Sequence, residues 1–269
     1  MDMIAFIGGG NMASAVIGGL VKSGRAAGAI VVIDPGAAQR DKLQAEFGVR
    51  TLAAADATLA AAALVVWAVK PQLFSEAAAP CAAYIGGALQ LSVMAGIRSD
   101  SIARATGATR IVRTMPNTPA LVGQGMTGLF AREAVSAADR AQVEAVLAPT
   151  GQLLWVAREQ DLDAVTAISG SGPAYVFYVV EAMMEAAVQM GLSAEQGKQL
   201  ALGTFAGSTA LAQASADSPA VLRERVTSKG GTTYAALTSL EASGVKAAFV
   251  TALKAAQQRA RELGDDFGR

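Results

Sequence analysis

The residues best placed to do chemistry form two glycine-rich clusters, one near each end of the chain. The first is Gly8-Gly9-Gly10-Asn11-Met12-Ala13, directly after the apolar run Ile4 to Ile7. Strand, tight turn and helix start in that order match the G-x-G-x-x-G/A pattern of a dinucleotide-binding βαβ unit. Gly8 permits the sharp turn, Gly10 lets the backbone approach a pyrophosphate, and Ala13 lets the helix pack close to the strand. The start of such a helix, with Asn11 and Met12, offers N–H groups and partial positive charge to phosphates. The second cluster is Thr227-Ser228-Lys229-Gly230-Gly231-Thr232-Thr233. Its paired glycines allow successive N–H groups to point into one concavity, and its hydroxyls add donors. That arrangement suits a carboxylate or phosphate. The same composition also fits a flexible helix–helix loop with a threonine cap.

Other polar positions fall at expected strand ends, where open α/β sheets bind ligands. Asp34 ends the run Ile30 to Ile33. An acid there ordinarily binds a ribose 2′-hydroxyl and repels a 2′-phosphate. Lys70, in Val69-Lys70-Pro71-Gln72, stands either near a cofactor ribose or simply in solvent. Asn117 lies in Met115-Pro116-Asn117-Thr118-Pro119, a loop stiffened by two prolines and able to donate or accept. Ser169-Gly-Ser-Gly-Pro-Ala-Tyr175 lies where the two halves of the chain join, as the lining of a cleft or as an interdomain turn.

The 269 residues contain no histidine, which removes Ser-His and Cys-His nucleophile pairs and histidine-based metal sites, and no metal site is expected. The single cysteine, Cys81, excludes an intrachain disulfide and reads as a small core residue in an alanine-rich helical stretch. Hydrophobic residues make up 52% and charged residues 16%, a globular composition with much to bury. The formal net charge is zero and no basic stretch stands out, so nucleic acid is not an expected partner. The longest apolar run, Leu59 to Val69, is shorter than the roughly 18 residues of a membrane span. It reads as a helix end running into a strand. With no basic segment preceding an apolar one at the start, the expected location is the cytoplasm.

The elements that must position these residues fall into two regions. Strands are expected at Ile4–Ile7, Ile30–Ile33, Leu64–Val69, Leu89–Val93, Arg110–Met115, Met126–Phe130 and Leu153–Val156. Helices interleave, including Ala37–Phe47 closed by Gly48, and Ala137–Leu147 opened by a capping-box pattern at Ser136 and Asp139. Alternating β and α units predict a mostly parallel, doubly wound sheet over residues 1–159. Residues 160–269 read as helical: Ala174–Met190, a helix capped at Ser193 that runs toward Ala212, a short one from Pro219 to Val226, Tyr234–Ala242 and Val245–Leu263. Wide apolar faces on these helices predict a homodimer or a larger assembly.

Taken in order, Ile-Gly-Gly-Gly-Asn-Met-Ala, Val-Lys-Pro-Gln, Arg113-Thr-Met-Pro-Asn-Thr-Pro, Ser-Gly-Ser-Gly-Pro-Ala-Tyr and Val226-Thr-Ser-Lys-Gly-Gly-Thr-Thr closely resemble the pyrroline-5-carboxylate reductases, from Met3 to about Leu263. The first motif is common to many dehydrogenases, whereas the last two are more particular to this family. Lysine at 229 departs from the proline that many members carry.

The resemblance implies a Rossmann-like domain followed by an all-α dimerisation domain. It further implies reduction of a cyclic imine carrying a carboxylate to L-proline, by hydride from a reduced nicotinamide. The loop of Ser228, Gly230, Gly231 and Thr232 would hold the carboxylate, and Thr233 would bond the imine nitrogen and act as the catalytic residue. The nicotinamide end would lie near Ala68, Val69, Lys70 and Pro71 and near Met115 to Asn117. NADP(H) is the cofactor that the resemblance favours, while Asp34 keeps NAD(H) in play and Arg40 could approach a phosphate. A β-hydroxyacid dehydrogenase would carry a lysine shortly after the interdomain glycines, and Gly170 to Tyr178 offers none. A non-catalytic nucleotide sensor would have no use for the anion loop at Ser228 to Thr233.

Overall fold

The computed structural model describes residues 2–267. Its centre is an eight-stranded sheet built from β1 (Met3–Ile7), β2 (Ile30–Ile33), β3 (Arg50–Leu52), β4 (Ala62–Trp67), β5 (Leu89–Ser92), β6 (Ile111–Met115), β7 (Gly125–Ala131) and β8 (Gly151–Trp155). Their spatial order is β3-β2-β1-β4-β5-β6-β7-β8. Every neighbouring pair is parallel except β6 with β7, which is antiparallel.

Sequence dictates this arrangement through continuous apolar strands. In β2 all four residues are buried, and in β4 the last four are. A strand that is apolar on both faces needs cover on both, which crossover helices supply. Alternate residues therefore belong to two separate cores. Ile4, Phe6, Val32, Leu64 and Val66 pack on one side, while Ala5, Ile7, Val31, Val65 and Trp67 pack on the other. The first side is covered by α1 (Asn11–Lys22), α2 (Ala37–Phe47) and α6 (Ala137–Leu147), through Val16, Ile17, Leu43 and Val143. The second is covered by α3 (Phe74–Ala78), α4 (Ala82–Ile85) and α5 (Ser99–Thr106), through Phe74, Ile85 and Ile102.

The helix ends follow their signals. Gly48 closes α2 at φ 68°, and Ser136 with Asp139 forms a complete capping box on α6. The run Leu59 to Val69 is the end of a 3-10 turn, Ala57–Ala61, entering β4. Cys81 is buried as expected, but it sits in the turn between α3 and α4, because Pro80 interrupts the alanine-rich stretch.

After β8 come α7 (Asp161–Val165), a single π turn (Thr166–Gly170), α8 (Gly172–Gln189), α9 (Ala194–Ala214), α10 (Pro219–Arg225), α11 (Thr232–Ala242) and α12 (Val245–Phe267). The chain divides into two compact units. The sheet unit runs to Pro173 and resumes at Ala256, and residues 174–255 form a helical unit. The end of α12 thus belongs to the sheet unit, where the Arg98 guanidinium lies 2.6 Å from Asp265 Oδ1 and would be 3.0 Å from a Cβ on Gly264.

Candidate active site

The glycine turn sits at the carboxyl ends of β1 and β4, the point where the strand order reverses direction from β1. Gly8 has φ 95°, and its N–H donates to Ile33 O at 2.8 Å. A Cβ on Gly8 would lie 2.8 Å from the carbonyl carbon and oxygen of Ala68 and 2.9 Å from Val69 N. Backbone angle and steric room both demand glycine here. The close approach also sets Ala68, Val69, Lys70 and Pro71 beside the turn, with Ala68 N–H donating to Ile7 O at 2.8 Å. Lys70 is exposed, and its carbonyl accepts from Leu73 N.

Gly9 and Gly10 differ from Gly8 and from one another. The Gly9 N–H donates to Asp34 Oδ2 at 2.9 Å, and its carbonyl accepts from Gln39 Nε2. A Cβ on Gly9 would collide with Leu43 Cδ1 at 2.6 Å. On Gly10, at φ −65°, a Cβ would meet nothing within 4 Å. Gly10 is the N-cap of α1 and supplies no side-chain acceptor, and no acid occupies the first turn. The N–H groups of Asn11, Met12 and Ala13 therefore lack intrahelical partners. Ala13 is buried in the core beneath the turn. The open backbone over Gly10 and the free helix start suit the pyrophosphate of a dinucleotide.

Asp34 is half-buried, and each of its carboxylate oxygens accepts a backbone N–H: Oδ2 from Gly9 and Oδ1 from Gly36, the latter at 2.8 Å. Arg40 Nη1 donates to the carbonyls of Asp34 and Pro35, both at 2.8 Å, which holds its guanidinium at the end of β2.

Along β6 and its continuation, alternate residues Arg113, Met115 and Asn117 engage the segment that leads to the π turn. Arg113 pairs with Glu159 at 3.1 Å, and burial lowers the pKa of its guanidinium, with Glu159 opposing that shift. Glu159 also caps α5, accepting from Ser99 N and Ser99 Oγ at 2.6 Å each. Met115 Cε lies where a Cβ on Gly170 would be 2.6 Å away. Asn117 is buried, donates to Ser169 O at 3.1 Å and accepts from Met126 N at 2.9 Å. Its amide is committed to protein partners, so it shapes the loop and braces the π turn that carries Ser169 and Gly170. Gln39 and Glu159, both important to this geometry, carry no sequence signal of their own. Each is one polar residue among many, and its partner is distant along the chain.

In the helical unit, Gly230 takes φ 74° and Gly231 is the N-cap of α11. Gly231 N–H donates to Ser228 O at 3.0 Å, so it closes a turn, and a Cβ on Gly231 would lie 2.5 Å from Ser228 Oγ. Thr232 and Thr233 occupy the first turn of α11, which has no side-chain cap and no acid. Lys229 is exposed and Thr233 is half-buried. The sequence thus brings Ser228, Gly231, Thr232 and Thr233 together around one helix start, with the Thr232 and Thr233 N–H groups free for an anion.

Fold and glycine turn define a dinucleotide-binding protein of the doubly wound α/β class. Residues 3–96 match the family model described as NADP oxidoreductase, coenzyme F420-dependent, and residues 159–263 match that of pyrroline-5-carboxylate reductase dimerisation. The pyrroline-5-carboxylate reductase of Pseudomonas aeruginosa is 45% identical, over 99% of this chain and 98% of that protein. A solved pyrroline-5-carboxylate reductase from Coxiella burnetii aligns with TM-score 0.91 at 37% identity, over 97% of this chain and 98% of that one. The NADP-bound pyrroline carboxylate reductase of Plasmodium falciparum aligns with TM-score 0.87 at 28% identity, over 98% of both chains. The chain belongs to the pyrroline-5-carboxylate reductase family.

Proposed function

We propose that this protein reduces 1-pyrroline-5-carboxylate to L-proline, the last step of proline synthesis. The observation that carries the reading is likeness along the whole chain to relatives of that name, among them one 45% identical over 99% of its length. The reduced nicotinamide supplies a hydride to the C=N carbon. The chain's own residues bind and orient. Gly8, Gly10, Asn11, Met12 and Ala13 would take the pyrophosphate, and Asp34 with Arg40 would stand at the adenosine ribose. Ala68, Val69, Lys70 and Pro71, backed by Asn117, would flank the nicotinamide end.

At the helical unit, the turn of Ser228, Gly230, Gly231 and Thr232 would seat the substrate carboxylate at the start of α11, where backbone N–H groups and helix polarity favour an anion. The Thr233 hydroxyl would hydrogen-bond the imine nitrogen and fix the ring for attack. A chain without histidine has no imidazole to supply a proton, so the proton comes from water, from a hydroxyl or with a substrate already protonated as its iminium. Protonation makes the imine carbon electrophilic, and positioning supplies the rest of the acceleration.

NADP(H) is the favoured cofactor. The Arg40 guanidinium is fixed at the end of β2, where a 2′-phosphate would be met, and both oxygens of Asp34 are already engaged by backbone. The match to a dimerisation model and the exposed apolar side chains of the helical unit, such as Phe177, Tyr178 and Met190, support a homodimer or an assembly of dimers. No described helix is long and apolar enough to cross a membrane, and we place the enzyme in the cytoplasm. The test is loss of 340 nm absorbance with pyrroline-5-carboxylate, run in parallel with NADPH and NADH. Oxidation faster with NADPH supports the reading. Absence of oxidation with both would overturn it.

A further inference from the structure

The glycine turn is held from outside itself, and the holding points to a role for Asp34 other than choosing between cofactors. Both ends of the Gly9 peptide unit are tied to side chains from the segment after β2. Asp34 takes the N–H, and Gln39 donates to the carbonyl, which Ser14 Oγ also approaches at 3.4 Å. Asp34 in turn is fixed by its second oxygen on Gly36 N, an Asx turn two residues on. A side chain on Gly9 would have to displace the buried Leu43, whose Cδ1 lies 2.6 Å from where its Cβ would go. The middle glycine is therefore a handle by which β2 orients the turn. Its neighbour Gly10 is the open face on which a pyrophosphate would lie.

Resting on the reading of this turn as a nicotinamide-dinucleotide site, we propose that Asp34 and Gln39 are positioning residues. They preorganise the pyrophosphate turn, and Asp34 strengthens NADPH and NADH binding to the same degree. An acid that read the ribose would act differently. Its removal would weaken NADH and relieve repulsion of the NADPH 2′-phosphate. A brace serves the part of the two cofactors that is identical.

The test uses the full chain and reads binding rather than turnover, by titrating the fluorescence of NADPH and NADH without imine. Asp34→Ala removes both acceptors, and Asp34→Asn keeps one oxygen. The expected result is a dissociation constant roughly tenfold weaker for both nucleotides with Asp34→Ala, from the loss of charge-assisted hydrogen bonds. Asp34→Asn falls between that variant and the parent, and the NADPH:NADH ratio stays within about threefold of the parent's in each. Amide exchange of the peptide spanning residues 4–14, measured without nucleotide, is expected to speed up in Asp34→Ala at Gly8 and Ser14 as well as at Gly9, whose own acceptor the substitution removes.

A ratio that moves beyond threefold, affinities equal to the parent's, or an unchanged exchange rate would overturn the proposal. Should Asp34→Ala fail to fold, the ratio and the exchange rate of Asp34→Asn decide alone. Failure of the proposed reaction would leave these measurements intact. A parent that binds neither nucleotide would instead overturn both readings.

Discussion

Replacing Gly10 by alanine separates what the glycine turn does for the fold from what it does for a ligand. Gly10 has φ −65°, an ordinary backbone angle for alanine, and the added methyl would find no protein atom within 4 Å. The unfolded chain loses freedom, worth about 0.4–1 kcal/mol, but Gly10 is the N-cap of α1, where alanine is disfavoured by a similar amount, so the stability should change by less than about 1 kcal/mol. The same methyl would stand between the backbone and a diphosphate that must come within hydrogen-bonding distance of the helix start. Forcing an extra carbon into a close contact costs about 1–3 kcal/mol. That corresponds to a dissociation constant for NADPH roughly 5- to 150-fold weaker. Urea unfolding without nucleotide gives the first quantity, and titration of nicotinamide fluorescence gives the second. Gly8→Ala is the counter-case. Its left-handed backbone alone costs about 1–2 kcal/mol, and the Ala68 and Val69 backbone adds a collision, so it should lower stability. An affinity for NADPH within twofold of the parent in Gly10→Ala would refute the assignment of the open face to the pyrophosphate.

Thr233→Val keeps shape and removes the hydroxyl. Turnover should fall about tenfold, as for loss of one hydrogen bond, with NADPH affinity and melting temperature unchanged. Full activity would leave Thr233 as a structural residue of α11. Cys81 is buried, and burial pushes its thiol up to about 11. At pH 8 roughly one thiol in a thousand is thiolate, so an aromatic disulfide should titrate no thiol in the native protein within minutes and one per chain in guanidinium. Burial raises the Asp139 carboxyl, but hydrogen bonds from Ser136 N–H and Oγ and the Arg110 guanidinium outweigh it and hold the group below the usual carboxylate range. Its folded pKa is thus lower than its unfolded one. The stability it contributes is present above the unfolded value and lost as pH falls through the folded value. Asp139→Asn should flatten that acid limb in unfolding curves taken from pH 6 downward, and an unchanged limb would contradict the assignment.

Elements that bury a patterned apolar surface were legible in the residues. β1, β2 and β4 are continuous apolar runs, and α6 and α9 begin at Ser136 and Ser193, each closed by a complete capping box. The elements that were not legible lack such a signature. β3 has three residues, one of them the exposed Arg50, and becomes a strand only because β2 offers an edge. α5 reads Ser-Asp-Ser-Ile-Ala-Arg-Ala-Thr and takes its cap from Glu159, far along the chain. The antiparallel entry of β7 depends on the Thr118–Val122 turn, and no local periodicity encodes direction.

The site divides along the same line. Gly8 and Gly10 declare their roles through spacing. The commitment of the Asn117 amide to Ser169 and Met126, the turn closed by Gly231 N–H, and the clamp on Gly9 are tertiary facts that composition does not encode.

The proposed function rests on hydride transfer from the nicotinamide to the imine carbon of a carboxylated pyrroline. Its most direct test is turnover of pyrroline-5-carboxylate with NADPH deuterated at the transferring face of C4, followed by NMR of the product. The expected product is L-proline carrying one deuterium at the δ carbon. Deuterium retained on the nucleotide, or a product other than proline, would contradict it.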